Sequence, residues 1–422
     1  MDDKLTLLAK YNLWDGNTID TGFQRLGYRR TIDALTGNRV IKILTGQRRA
    51  GKSYLLRQTA VKLVSDGVDP KSIFMLDMEF EDFDWMKSDK ELNELFRSYE
   101  KEIAPEGKRY IFIDEVQNIK GWEKFVNSYS QDYSREYELF LTGSNSKMLS
   151  GELSTKISGR YVEIDTYPYS YGEFVEFYGK ARNRESYNEY IHSSGMPELC
   201  KLEGTEAKRA YTRSLKNTIM LRDIISRHNI RDVALLEDLF KFSINNASNL
   251  LSISSIQKYL KGQGRKTSYD TVAEYLGYME EAFLLYHADR YDIKGKDVIG
   301  GSLKYYSNDL CWRNYLYRGF GYGEGYLLEN AIFMEIKRHG YEIYVGNMEG
   351  KELDFVCLKD DRRIYIQASL SVADEETARR EYAPLETIPD NYEKWVVTMD
   401  EYPQPSNNGI LNIRAWELAD LL

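Results

Sequence analysis

Cysteine is scarce in this chain. There are three in 422 residues, Cys200, Cys311 and Cys357, odd in number and far apart. That excludes a disulfide framework and a zinc-ligand pattern, and a reducing cytosol is the expected location. Long apolar runs are also missing. No stretch nears the ~18 uninterrupted apolar residues of a membrane helix, so no membrane role is expected. The opening MDDKLTLLAKYNLWDG has acids at positions 2 and 3 and lacks a signal peptide's pattern. Nor is there a surplus of positive charge. A formal net charge of −9 argues against a broad nucleic-acid-coating surface, though not against a local basic patch. Repeats and low-complexity linkers are absent, so boundaries must be read from changes of pattern.

What the chain has is material for large cores. Apolar residues make up 42%, and the length suits two to four domains. The 34 tyrosines could stack on single-stranded bases, but scatter through cores and surfaces is the reading adopted. After a helical N-terminal segment with a turn at Asp15-Gly16-Asn17, five apolar runs read as strands: 40–44, 72–79, 110–116, 137–144 and 160–168. The first, VIKIL, is continuous rather than alternating, which suggests a buried parallel strand. Helical patterns lie between them, at 54–64 and 89–103. Strands alternating with helices predict a doubly wound α/β domain.

The first strand runs into Gly46-Gln47-Arg48-Arg49-Ala50-Gly51-Lys52-Ser53, which matches G-x-x-x-x-G-K-[ST]. Glycines let successive backbone N–H groups turn towards phosphate oxygens. A helix beginning here, with Tyr54 in its first turn, presents its positive end to the same anion. Lys52 is placed to reach the β- and γ-phosphates of ATP and Ser53 to ligate Mg²⁺. Arg48 and Arg49 face either phosphate or solvent. In YIFIDEVQ, Asp114 and Glu115 end an apolar strand, at the edge where ligands sit in open α/β sheets. Asp114 is the candidate Mg²⁺ ligand, and Glu115 the candidate base that polarises an attacking water. Such a base suits hydrolysis rather than transfer to another acceptor. Ser144 and Asn145, after the fourth strand, are candidate contacts to the γ-phosphate or the water. Arg160 is a candidate transition-state cation, from its own subunit or a neighbour.

Beyond Pro168 the chain turns helical to about residue 230. From 231, SISSIQKYLKGQG and KTSYDTVAEYLGYMEEA read as two helices. FLLYHADRYDIKG then reads as strand, turn and strand. Two helices and a hairpin suggest a winged helix-turn-helix. Its turn carries Lys258, Lys261, Arg265 and Lys266 against Asp270 alone, which suits DNA. Its second helix carries Glu274, Glu280 and Glu281, which would repel DNA. DNA contact and use as a protein-binding module both stay open.

These stretches, with TGSNS, SGRYVEIDTYPYSYGEF, SGMPE, LKYYSNDLCWRNYL, LLENAIFMEI, KELDFV and IYIQASL, resemble the AAA-type ATPases of bacteria and archaea that carry a C-terminal domain of unknown function. The resemblance covers nearly the whole chain. It implies ATP binding and hydrolysis, a helical lid, a winged-helix segment and a restriction-endonuclease-like terminal fold. The expected domains are 1–168 for the P-loop core with its N-terminal helical segment, 169–230 for the lid, 231–300 for the winged helix and 301–422 for a separate nuclease-like unit. In that last unit Glu329, Asp354 and Gln367-x-Ser369 resemble the PD-(D/E)xK arrangement. Gln367 stands where the second strand acid belongs and Ser369 where the lysine belongs, which argues against a working metal nuclease. Two functions follow as expectations. One is an ATPase switch or motor acting on DNA, and the other a nucleotide-gated assembly protein whose partner is a protein or a further copy of itself.

Overall fold

The computed structural model describes residues 3–149, 157, 159–317, 323–403 and 408–422. It divides into two compact units, Met1–Thr166 and Tyr167–Leu422.

The first unit is built on five strands: β1 (Ile41–Thr45), β2 (Ile73–Asp77), β3 (Arg109–Asp114), β4 (Tyr137–Gly143) and β5 (Tyr161–Asp165). All pair in parallel, in the order β2-β3-β4-β1-β5. Parallel strands need crossovers, and those crossovers cover both faces. On one face Ile41, Ile43, Ile111, Ile113, Leu139 and Leu141 pack under helices Asp3–Ala9, Asp89–Glu102 and Trp122–Gln131. On the other, Leu44, Phe112 and Phe140 pack under Leu26–Leu35 and Lys52–Ser65. The helix Asp89–Glu102 forms because Ser88 and Glu91 make a capping box. Its Leu92, Leu95, Phe96 and Tyr99, at i, i+3, i+4 and i+7, are the buried positions.

The outer edge of β2 is covered by side chains of the N-terminal segment. Asn12 accepts from Met75 N–H at 2.7 Å and donates to Met75 O at 2.9 Å, and Trp14 Nε1 donates to Ile73 O at 2.8 Å. Backbone groups that would otherwise template pairing with another chain are thereby satisfied.

The continuous strand VIKIL contains a buried cation. Lys42 is fully buried, with Nζ 2.5 Å from Glu138 Oε1 on β4. Glu138 also receives Lys108 at 2.6 Å and the Gly37 N–H at 2.9 Å. Burial pulls the Lys42 amine below its usual range, against the opposing effect of Glu138.

The second unit opens with helices Tyr171–Tyr178, Arg184–Ile191, Pro197–Lys201 and Thr205–Ile219. Then come helix Val233–Asn245, the short β6 (Leu250–Leu251), helices Ile253–Gly262 and Tyr269–Glu281, β7 (Leu285–Asp292) and β8 (Asp297–Ser307). FLLYHADRYDIKG is therefore one strand followed by a turn. Its return strand starts at Asp297 and runs past residue 300. The remaining strands are β9 (Glu342–Met348), β10 (Lys351–Lys359), β11 (Arg362–Ser369), β12 (Glu393–Thr398) and β13 (Ile410–Arg414), with helices Gly325–Arg338 and Glu375–Glu386. All eight strands form one sheet, β13-β12-β11-β10-β9-β7-β8-β6. The hairpin β7–β8 and the C-terminal strands are joined through the parallel pairing of β7 with β9 over Arg290–Asp292 and Val345–Asn347. The expected separation of a terminal sheet at residue 301 is thus replaced by a continuous sheet.

The turn SGMPE is held by a residue of the LKYYSNDLCW stretch. Asp309 accepts from Ser194 Oγ at 2.7 Å, Gly195 N–H at 2.8 Å and Cys311 N–H at 2.8 Å. Gly195 is required by packing, since a Cβ there would lie 2.3 Å from Tyr169 O.

Removing Glu138 would leave Lys42 buried without its carboxylate. Glu138→Leu is expected to cost about 3–5 kcal/mol in urea unfolding. The pair Lys42→Met/Glu138→Leu is expected to recover most of that loss. A double variant no more stable than the single one would show that the pair does not act as a unit.

Candidate functional site

The loop from Gly46 to Ser53 links β1 to the helix Lys52–Ser65. Three residues carry positive φ: Gly46 (147°), Arg49 (68°) and Gly51 (103°). Gly46 is needed twice over, because a Cβ there would lie 2.1 Å from Thr166 O. Thr166 N–H donates to Thr45 O at 2.6 Å, so the chain leaving β5 clamps the start of the loop. From behind, Arg25 Nη1 donates to Ala50 O at 3.0 Å. Gln47 and Arg48 are buried and Arg49 is exposed. Arg48 pairs with Glu79, just beyond β2. Tyr54 turns away from the loop to the N-terminal segment, its hydroxyl 3.4 Å from Asp20 Oδ2.

Lys52 is buried, and its Nζ donates to Gly46 O at 2.9 Å and Gln47 O at 3.1 Å. It lies 3.6 Å from Glu115 Oε1. Ser53 hydrogen-bonds the Asp114 carboxylate, and Thr142 of β4 donates to the same group. Burial first and Glu115 second push the Asp114 carboxyl up. Asp77 ends β2 opposite Asp114. Its carboxyl is pushed up to about 7, by burial and then by the Asp114 charge. A cavity of about 210 Å³ opens beside these groups, lined by Ser53, Leu56, Arg57, Asp77, Phe112 and Asp114 among others. Hydroxyl and carboxylate oxygens of this kind are the hard donors that suit Mg²⁺.

Glu115 has a left-handed backbone (φ 51°), which turns it out of the strand. Its N–H donates to Thr142 Oγ1 at 2.9 Å. Gln117 and Ser144 both donate to its Oε2, Ser144 at 2.9 Å. Burial would raise this carboxyl, but Lys52, Arg48, Gln117 and Ser144 together outweigh it and hold Glu115 below its usual range. It is therefore a fixed, ionised carboxylate at neutral pH.

Of the residues named from sequence, the loop, Lys52, Ser53, Asp114, Glu115 and Ser144 converge. Asn145 is buried beside them, but its Oδ1 accepts from Lys147 N–H at 2.6 Å and so caps the following turn. Arg160 is not brought to the loop. It is exposed at the amino end of β5, and its carbonyl pairs with Ile41 N–H. The loop lies at the opposite end of β1, four residues or roughly 13 Å away. Arg25, Asp77, Gln117 and Thr142 were not foreseen. FIDEVQ and FLTGS contain the last two, and the parallel register of β3 and β4 is what brings Thr142 to Asp114 and Glu115.

A second acidic centre lies in the other unit. Lys304 of β8, also unforeseen, is 2% exposed and sits 2.8 Å from Glu329 Oε1, 2.7 Å from Glu352 Oε1 and 3.3 Å from Asp354 Oδ1. Tyr306 donates to Glu329 Oε1 at 3.0 Å. Burial, then Asp354, pushes the Glu329 carboxyl up to about 8. Gln367 Oε1 accepts from Asp354 N–H at 3.3 Å and its Nε2 donates to Glu381 at 2.9 Å. Ser369 is not part of the cluster and donates to Ser371 O at 3.1 Å.

Comparison with known proteins identifies the family of the chain and the class of its first unit. The AAA domain profile matches residues 38–175, and a domain of unknown function matches 184–321. An uncharacterized protein of Haemophilus influenzae is 34% identical over 378 residues, 88% of this chain and 92% of that protein. The chain belongs to the family of that protein, and its first unit holds an AAA-type P-loop domain. An uncharacterized protein of Methanocaldococcus jannaschii is 28% identical over 339 residues, 77% of this chain and 73% of that protein. Among solved structures, a Walker-type ATPase of Pyrococcus abyssi overlays with a TM-score of 0.44 and 16% identity, over 68% of this chain and 94% of the other. Among the described residues no helix is long and apolar enough to cross a membrane.

An acid whose folded pKa is raised costs stability as pH climbs. The cost of Asp77 is absent below the unfolded value of about 4. It grows up to about pH 7 and is complete above. Asp77→Asn is therefore expected to raise the melting temperature of nucleotide-free protein, and by more at pH 8 than at pH 5. An equal change at both pH values would show that Asp77 ionises freely.

Proposed function

We propose that the protein is a Mg²⁺-dependent ATPase that uses hydrolysis to switch or move its domains. The observation that carries this reading is Glu115: a buried, ionised carboxylate held by Ser144 and Gln117, 3.6 Å from the Lys52 ammonium of the phosphate-type loop. In this reading the loop N–H groups and Lys52 bind the β- and γ-phosphates. Ser53 and Asp114 hold Mg²⁺, which neutralises phosphate charge when bound. Glu115 takes the proton of the attacking water, and Ser144 and Gln117 keep its second oxygen oriented. Asn145, next in the chain to Ser144, is the further candidate for contact with the γ-phosphate or the water. In this reading Arg160 serves the site of a neighbouring copy, since its own loop lies at the other end of β1.

The order from Val233 to Ser307, helix, strand, helix, helix, strand, strand, supports a winged helix in the second unit. Lys258, Lys261 and Lys266 at its turn are exposed, which supports DNA as the partner. A protein partner is the second reading. The face of helix Tyr269–Glu281 that would enter a groove exposes Asp270 and Glu274. Glu280 and Glu281 weigh less than their sequence suggests, since they pair with His287 and His228. The wing tip is also tied down. Ile293 N–H donates to Asn347 O at 3.1 Å, and Lys294 pairs with Glu349 at 2.8 Å.

Lys52→Ala removes a charge-assisted contact of about 1.5–3 kcal/mol and is expected to weaken ATP binding about 10–100-fold in titration calorimetry. Glu115→Gln is expected to keep ATP bound and lower turnover by about 10²–10⁴. Wild-type turnover in Glu115→Gln would remove it as the base. ATP hydrolysis measured with and without duplex DNA separates the partners. Stimulation that falls steeply with salt supports DNA, and indifference to DNA supports a protein.

A further inference from the structure

Taking DNA as the partner, the reading on which this rests, we propose that the groove between helices Val233–Asn245 and Ile253–Gly262 holds a single strand, with a base stacked on Tyr259 and phosphates on the lysines around it. The groove has a volume of about 580 Å³ and is lined by Lys241, Phe242, Asn245, Tyr259, Gln263 and Arg265 among others. Tyr259 stands on the solvent side of a helix that buries Ile256 and Leu260, and it is 48% exposed. An aromatic ring left this open adds little to the core. Phe242 of the neighbouring helix holds the ring in place, with centroids 4.5 Å apart and planes inclined at 43°. A ring fixed in this way is a ready platform for a base, because it loses little freedom when one stacks on it.

Charge favours a nucleic-acid strand here. Lys241 lines the groove and is exposed, and Lys258, Lys261 and Lys266 are exposed on the second helix and the turn after it. The other two charged groups of the lining, Arg265 and Asp238, pair with each other at 2.7 Å, so the surplus is positive. The amide side chains of Asn245 and Gln263 add donors and acceptors of the kind that meet base edges. The lysines would also suit an acidic peptide, but the open ring beside them favours bases, which present a π-face at every step. A duplex fits less well on two grounds. Its bases are covered by their stacked neighbours, so a side-chain ring reaches only a base freed from the stack. The helix that would enter its groove, Tyr269–Glu281, exposes Asp270 and Glu274, which repel phosphates.

The test uses the full chain and a fluorescein-labelled oligo(dT) of about 12 nucleotides. The same strand annealed to oligo(dA) is the duplex, and binding is read by fluorescence anisotropy over a range of salt. The single strand is expected to bind more tightly than the duplex. Tyr259→Ala should weaken it about 5–100-fold, and Tyr259→Phe should retain it. Lys241→Ala should make the log–log salt dependence shallower by about 0.7. ATP hydrolysis without DNA should be unchanged in all three. Unchanged binding in a folded Tyr259→Ala, or an equal loss in Tyr259→Phe, overturns the stack while leaving DNA as the partner. So does tighter binding of the duplex. Binding of neither form overturns the stack and the DNA reading together. Binding of labelled poly-glutamate in their place assigns the groove to an acidic protein segment and overturns both as well. If Tyr259→Ala does not fold, Lys241→Glu decides: a loss of single-strand affinity supports the groove, and an undiminished affinity refutes it.

Discussion

The parallel register of β3, β4 and β1 is the constraint on which the first unit's chemistry depends. Pairing in one direction makes all three strands end at the same edge. Thr45, Gly143 and the end of β3 at Asp114 therefore lie side by side. Residues far apart in sequence then share one corner: the loop after β1, the acids after β3 and Thr142 and Ser144 at the end of β4. The clamp of Thr166 on Gly46 and Thr45 adds β5 to the same assembly. Nothing in that corner is wide enough to tolerate slippage. A one-residue shift would turn Thr142 away from Asp114 and Glu115.

Buried charge is the second organising theme. Lys42 with Glu138, Lys52 with Glu115, and Lys304 with Glu329, Glu352 and Asp354 each take an ammonium into the interior beside carboxylates. Their surroundings set different roles. Lys42 is sealed within the sheet, where its pair specifies packing. Lys52 is buried within the phosphate-type loop, its Nζ on Gly46 O and Gln47 O beside Glu115. Lys304 lies among the acidic side chains Glu329, Glu352 and Asp354. The same chemical pair thus recurs within the sheet, in the candidate site and in the acidic centre of the second unit, and the element that carries each ammonium distinguishes them.

In the second unit, the sheet carries the hairpin β7–β8 and the C-terminal strands together through β7 and β9. The wing of any winged helix here is therefore a stiff continuation of a large sheet. That stiffness is paired with the tie between Asp309 and the Ser194–Gly195 turn, so the helices at the start of the unit are anchored to the segment that follows β8. Two of the stretches that stood out in the sequence, SGMPE and LKYYSNDLCW, are in this way halves of one contact.

Local chemistry determined much by itself. The spacing from Gly46 to Ser53, between an apolar run and a helical pattern, required a phosphate-type loop, because glycines at those positions do what no other residues can. Five apolar runs alternating with helical patterns required a parallel sheet covered on both faces. Asp114 and Glu115 were legible because acids at the end of an apolar strand have few other reasons to be there. Long-range pairing was not legible. Ser144 reaches Glu115 only once β4 lies against β3. Arg160 falls at the far edge because β5 runs parallel to β1. The strand end near Asp292 was misread because an apolar–polar alternation does not reveal where its return strand begins. Lys304 was not singled out in the sequence. Only the tertiary fold could decide its role, since three carboxylates from two distant segments come together around it through sheet register and helix packing, neither of which local sequence encodes.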